Sequence, residues 1–355
     1  MAGCIVATSA LCSAGRGVEQ RWASVRAGLS RIGSSRVMDR DFQPIQMGLV
    51  PEDALEPELP PEVESLPLPA RARRMLRLGV PALRSVLASA GEPPLRLFLG
   101  LPQLGLEEAP WMRGFSLYLA KAAGIALDLP NCRVVPAGRA AALVALELAL
   151  TALEQDPSRP VVVGGVDTYL DLRLLATLEA QGRILGPRVS DGFVPGEGAS
   201  FLVLADSSVA AGQGAVTVTA AASAPDPGHR SGSAPARGEG LAAAIELLRS
   251  RLPDPGSVVG TTFAGLNGES FDAKQWGVAR LRHGDFFAAD AAVIHPADCF
   301  ADTGAATAAL LLSLGARALA RAERRGPALI WAASDGETRA CALLSRAENR
   351  EAGES

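Results

Sequence analysis

Histidine is scarce in this chain: 355 residues hold only His229, His283 and His295. None forms a ligand-like pair, so no zinc site is expected. Aromatic residues make up only 5% of the chain, which argues against a base-stacking platform. Neither sign of charge dominates, with 34 Lys plus Arg against 38 Asp plus Glu and a net charge of −4. That balance supplies no whole-protein field for nucleic acid or an anionic membrane. Long apolar runs are also missing. The longest are broken at Glu147 and Arg317, short of the roughly 18–20 residues a membrane span needs. Met1 to Gly15 has no positively charged opening and reads as a first strand, not a signal peptide. The five cysteines, Cys4, Cys12, Cys132, Cys299 and Cys341, are odd in number, scattered and without a Cys-x-x-Cys spacing. They read as reduced, buried thiols. The expectation is a cytoplasmic protein with no metal, no cofactor, and no nucleic-acid or membrane partner.

The chain does have apolar residues (48%), 37 glycines and 25 prolines, ample for a large core. Apolar periodicity predicts helices over 18–29, 71–90, 120–127, 140–154, 240–252, 271–281 and 305–321. It predicts strands over 4–10, 95–100, 133–135, 160–164, 199–205, 216–222, 258–262, 291–294, 327–333 and 338–344. Residues 40–70 alternate Pro with Glu and read as a linker or surface arm. Residues 223–239, rich in Pro, Gly and Ser, read as a loop. Arg71, Arg73, Arg74 and Arg77 form a basic cluster, expected to be a solvated or interface face. Alternating strands and helices predict an α/β protein with a mostly parallel sheet buried on both faces.

Three segments carry more information. Val134-Val135-Pro136-Ala137-Gly138-Arg139-Ala140-Ala141 leads into the apolar run 142–153. Val161-Val162-Val163-Gly164-Gly165-Val166-Asp167 follows, and then Asp191-Gly192-Phe193-Val194-Pro195-Gly196-Glu197-Gly198. The glycines of the last segment suit a tight turn running into a buried strand, where bulky side chains would clash. Together these resemble the middle of a β-ketoacyl synthase of the thiolase superfamily, and the likeness extends over almost the whole chain. It implies a thiolase-like fold: two pseudo-duplicated α/β halves in a five-layer αβαβα architecture. The halves would be residues 1–206, the N-terminal-like half, and 207–355. It also makes Asp191, Gly192, Phe193, Gly196, Glu197 and Gly198 a structural motif.

A condensing synthase needs a thiolate at a helix N-terminus, a histidine pair for decarboxylation and a backbone oxyanion hole. The resemblance places the family's cysteine at Gly138. It places the first histidine at Gly260, the second at Ala301 and the nearby lysine at Pro296. The glycine-rich C-terminal loop is replaced by Ala333-Ser334-Asp335-Gly336-Glu337-Thr338. On this reading no catalytic residue remains. Substitutes are open at Cys299 and Asp302, and more remotely at Cys132, Asp335, Asn267 and Glu269. Against each stands a structural reading: core thiols for the cysteines, and Asx turns or an Asn-Gly turn for the others.

The resemblance therefore implies a degenerate synthase-like pseudoenzyme that acts by association. Partners would be a second copy, a ketosynthase-like subunit, an acyl-carrier protein or a protein cargo. Some synthase-like proteins of this kind occur beside secretion-system effector genes, which adds a secretion-linked adaptor. The alternative is an acyltransferase, decarboxylase or hydrolase with a remodelled active site.

Overall fold

A computed structural model describes residues 2–91, 94–104, 109–207 and 214–347. The first half contains β1 (Gly3–Thr8), α1 (Val18–Arg26), α2 (Ala70–Arg84), β2 (Arg96–Leu101), α3 (Phe115–Ala123), β3 (Arg133–Pro136), α4 (Ala141–Gln155), β4 (Val161–Thr168), α5 (Leu172–Ala180) and β5 (Glu197–Asp206). The second half contains β6 (Val216–Pro225), α6 (Glu239–Ser250), β7 (Val259–Ala264), α7 (Ser270–Arg282), β8 (Phe287–Ile294), α8 (Thr307–Ala320), β9 (Ala328–Ala333) and β10 (Thr338–Arg346).

Strand order is β1–β5–β4–β2–β3 in the first half and β6–β10–β9–β7–β8 in the second, the same path repeated. Directions repeat too. β2 runs parallel to β3 and β4, as β7 does to β8 and β9. The remaining pairs in each half are antiparallel. The halves join where β1 pairs antiparallel with β6, Gly3 opposite Val218. The sheet is thus mixed, which corrects the expectation of a mostly parallel one. The physical reason is visible at β9 and β10, which are joined by the short turn at 334–337 and so must run antiparallel.

α4 and α8 lie between the two half-sheets, touching strands of both. Their sequences, AALVALELALTALEQ and TAALLLSLGARALA, are Ala- and Leu-rich. Such residues favour helix, and a helix that is apolar nearly all round has to be buried. α2 covers the outer face of the first half-sheet and α6 that of the second. The result is five layers, with one core between the sheets and one under each outer helix layer.

Two further expectations are corrected. Residues 40–70 are not a surface arm. They hold part of a hairpin, Gly33–Met38 with Pro44–Met47, and they bury Ile45, Met47, Val50, Leu55, Leu59 and Val63. The prolines punctuate this stretch, and the apolar side chains between them turn inward. The Arg71 cluster is not a solvated face either. Arg71 Nη2 donates to Asp167 at 2.8 Å, and Arg74 grips the fully buried Glu197 at 2.6 and 2.7 Å. The structure also adds α5, whose N-cap Asp171 accepts from Leu174 N at 2.9 Å.

Candidate functional site

Gly138 opens the turn between β3 and α4, with φ +58°. That left-handed conformation favours glycine over any residue with a Cβ. The space itself is not closed: an added Cβ would meet Gln103 Cβ at 3.4 Å and Ser334 Oγ at 3.7 Å, ordinary contact distances. Ser334 braces the turn, accepting from Ala140 N at 3.2 Å and donating to Ala137 O. Gln103 braces it from the other side, its Oε1 accepting from Gly336 N at 2.9 Å.

The next residue, Arg139, is 4% exposed and organises the site. Its Nε donates to Ala333 O at 2.9 Å and its Nη1 to Asp302 at 3.0 Å. Its Nη2 lies 3.0 Å from Asp272 and 3.2 Å from Asp335. Arg183 forks onto Glu269 at 2.9 and 2.8 Å and onto Asp335 at 2.8 and 3.0 Å. Arg230 comes from the 223–239 loop. It reaches Glu269 at 3.1 Å and Asp335 at 3.5 Å, and sits over the Phe271 ring.

Three arginines thus face four carboxylates: Glu269, Asp272, Asp302 and Asp335. Burial alone would push Glu269, Asp272 and Asp335 up. At Asp335 the arginines outweigh it and hold the group at about 2. At Glu269 they also win, lowering it. At Asp272 burial wins, joined by repulsion from Glu269 and Asp335, and the group rises to about 6 despite Arg139. Burial works against the charge on Arg139, but its carboxylates outweigh it and hold the guanidinium well above its usual range. It stays charged at any physiological pH.

Ala301 stands beside this cluster, buried and at φ +71°. Asp302 follows, accepting from Asn267 Nδ2 at 2.9 Å and, in an Asx turn, from Gly304 N at 2.8 Å. Asp302, Asp335, Asn267 and Glu269 therefore converge with the Gly138 turn. They do so as partners of arginines and turn-formers. Gly260 does not converge. It lies early in β7, where an added Cβ would strike Arg325. β7 ends at Ala264, opposite Trp331 of β9, so the loop 265–269 that follows is the segment that borders the site.

The cysteines are elsewhere. Cys299 is buried in the core between the sheets, and burial raises its thiol, with Asp298 and Cys12 adding to that. Cys132 sits just before the start of β3, contacting Leu97 N and Leu95 O, and is likewise raised by burial. The histidine rings face other groups: His283 donates to Ala242 O at 2.9 Å, His229 meets Ser231, and His295 meets Asp298.

The glycine-rich segment is structural in its contacts. Asp191 caps α7 through Ser270 N at 2.6 Å. Phe193 packs on Tyr169 and under Arg183. An added Cβ on Gly196 would lie 3.0 Å from Ala301 Cβ and from Asp302 O. Glu197 binds Arg74, Thr168 Oγ1 and Val50 N.

Sequence reasoning missed Arg139, Arg183, Arg230 and Asp272 as site residues. One signal was available for Arg139, the only charge between Arg133 and Glu147 in a stretch that must be buried.

No curated protein matches the chain in sequence. Residues 127–210 match the family model for the β-ketoacyl synthase N-terminal domain. Among solved structures, the chain is similar to the ketosynthase of module 6 of the bacillaene synthase from Bacillus subtilis 168. The TM-score is 0.77 at 14% identity, covering 99% of this chain and 73% of that one. It is similar to the ishigamide ketosynthase/chain length factor (TM-score 0.73, 20% identity, 98% and 100% covered). It also resembles a type II PKS ketosynthase in complex with its acyl-carrier protein (TM-score 0.72, 16% identity, 98% and 99% covered). Among the described residues no helix is long and apolar enough to cross a membrane. Residues 127–210 thus carry a match to the β-ketoacyl synthase N-terminal domain, and the chain as a whole has the ketosynthase, thiolase-like fold.

Proposed function

We propose that this chain is a non-condensing ketosynthase-fold subunit that acts by association. One observation carries the reading: the nucleophile turn presents Gly138, and the space beside it holds Arg139 salt-bridged to buried carboxylates. A thioester needs a thiolate, and Gly138 has no side chain to supply one. The ion cluster, drawn from six segments of the chain, also engages the acids described near the turn in ion pairs with arginines. Glu269 and Asp335 are held ionised by arginines, while Asp272 is enclosed.

For the partner, we favour a second copy or a ketosynthase-like subunit. Among the described residues β3 pairs only with β2, which leaves its other edge without a strand partner there. Leu129 and Leu148 are exposed nearby. An open edge with apolar neighbours invites pairing. Among the structural relatives, the ishigamide ketosynthase/chain length factor supports a ketosynthase-like subunit, and the acyl-carrier complex supports an acyl-carrier protein as a further partner. The repeated strand order supports treating 1–206 and 207–355 as the two halves.

The test is intact-mass analysis after incubation with an acyl-thioester. No site-specific adduct is expected. A stoichiometric adduct on Cys132 or Cys299 would overturn the reading and favour a remodelled acyltransferase.

A further inference from the structure

Asp335 differs from the other carboxylates of the cluster in one respect: its side chain is 44% exposed, while Glu269, Asp272 and Asp302 are enclosed. It is nevertheless gripped by all three arginines. Arg183 takes both oxygens in a fork at 2.8 and 3.0 Å, Arg139 adds a contact at 3.2 Å, and Arg230 closes at 3.5 Å. A fork plus two flanking guanidiniums is the geometry proteins use to recognise a carboxylate.

The backbone around Asp335 is pinned separately. Ser334 N bonds Thr338 O at 3.0 Å, Gly336 N bonds Gln103, and Arg339 holds Ser334 O and Gly336 O. The turn is therefore held by contacts that do not involve the Asp335 side chain. Arg230 is the loosest of the three clamps. Its Nε and Nη2 make no well-aligned hydrogen bond, and it rides on the Pro-, Gly- and Ser-rich loop.

We infer that Arg139, Arg183 and Arg230 form a carboxylate-binding site whose resident occupant is Asp335, and that a small carboxylate-bearing molecule takes its place when Asp335 swings out. The exchange leaves the charge of the cluster unchanged, one carboxylate for another, so the arginines and the enclosed acids keep their partners. The inference rests on the arginine cluster and not on the assignment of Gly138, so it stands or falls separately from the proposed function.

The test is chemical rescue. Asp335→Ala vacates the site, and Asp335→Ser does so with a turn-compatible residue if the alanine variant does not fold. Acetate is the probe, followed by thermal unfolding. Acetate is expected to raise the Tm of the vacated variant saturably, by a few degrees. Chloride at equal ionic strength should not, and adding Arg183→Gln should abolish the response. If acetate and chloride act alike on the vacated variant, or if the response survives Arg183→Gln, the site does not exist.

Discussion

Replacing Arg139 by Met tests the cluster most directly. The substitution keeps a long, unbranched side chain and removes the guanidinium. It leaves Asp272 with a contact to Gln275 at 3.4 Å and the more distant charges of Arg230 and Arg339, whereas Asp302 keeps Asn267 and Gly304 N. Removing one partner of a buried pair costs about 3–5 kcal/mol, and the loss should fall mainly on Asp272. Chemical denaturation at neutral pH should show it as a lower midpoint with little change in slope. The double variant Arg139→Met/Asp272→Asn should recover part of the loss, because the stranded charge is then gone. The pH dependence has a definite sign. The folded-state value of Asp272, about 6, lies above the ordinary carboxylate value of about 3.9. The folded protein therefore holds this proton more tightly than the unfolded chain. The group's contribution is complete below about pH 4 and is lost as pH rises through about 6. A shift of that size corresponds to about 3 kcal/mol. Asp272→Asn alone should thus flatten the stability profile between roughly pH 4 and 6. The reasoning is refuted if Arg139→Met costs under about 1 kcal/mol, or if the double variant is no more stable than the single.

Gly138→Cys should fold with a penalty of about 1–2 kcal/mol for a side chain at positive φ. It should not condense malonyl-thioesters, since a constellation of this kind works as a unit. Turnover comparable to an ordinary synthase would show that the missing acid–base groups have been misplaced. Arg21→Met should stabilise the fold, by about 1–4 kcal/mol in thermal or chemical unfolding. Arg21 is fully buried, its guanidinium nitrogens make no well-aligned hydrogen bond among the described residues, and the Cys12 thiol, a weak acceptor, is the titratable group beside it. A loss of stability would mean that the charge is compensated. Light scattering at micromolar concentration should give twice the chain mass, and Leu148→Asp should shift it toward one. A soluble wild-type monomer would point to a different subunit as the two-fold mate.

The site was legible in part. The Gly138 turn could be found because it lies within one continuous stretch, between a β-branched run and an apolar helix. Ala301 and Asp302 could be found because Gly304-Ala305-Ala306 follows them at once. Gly260 was misplaced relative to the site because a strand's register against its neighbours is not written in its own residues. Only the pairing of β7 with β9 shows which end of the strand abuts the cluster.

The sequence by itself determined the class of fold, the alternation of strands and helices, and the glycine at the turn that opens α4. These depend on local periodicity and on the identity of single residues. Tertiary structure alone decided that Arg139, Arg183 and Arg230 meet Glu269, Asp272, Asp302 and Asp335, and that the two halves repeat one strand path. Arg139 and Asp335 are separated by most of the chain, and an arginine in a sequence looks the same whether it faces water or a buried acid. Electrostatic pairing acts through space, so its partners are fixed only when the fold brings them within a few ångströms.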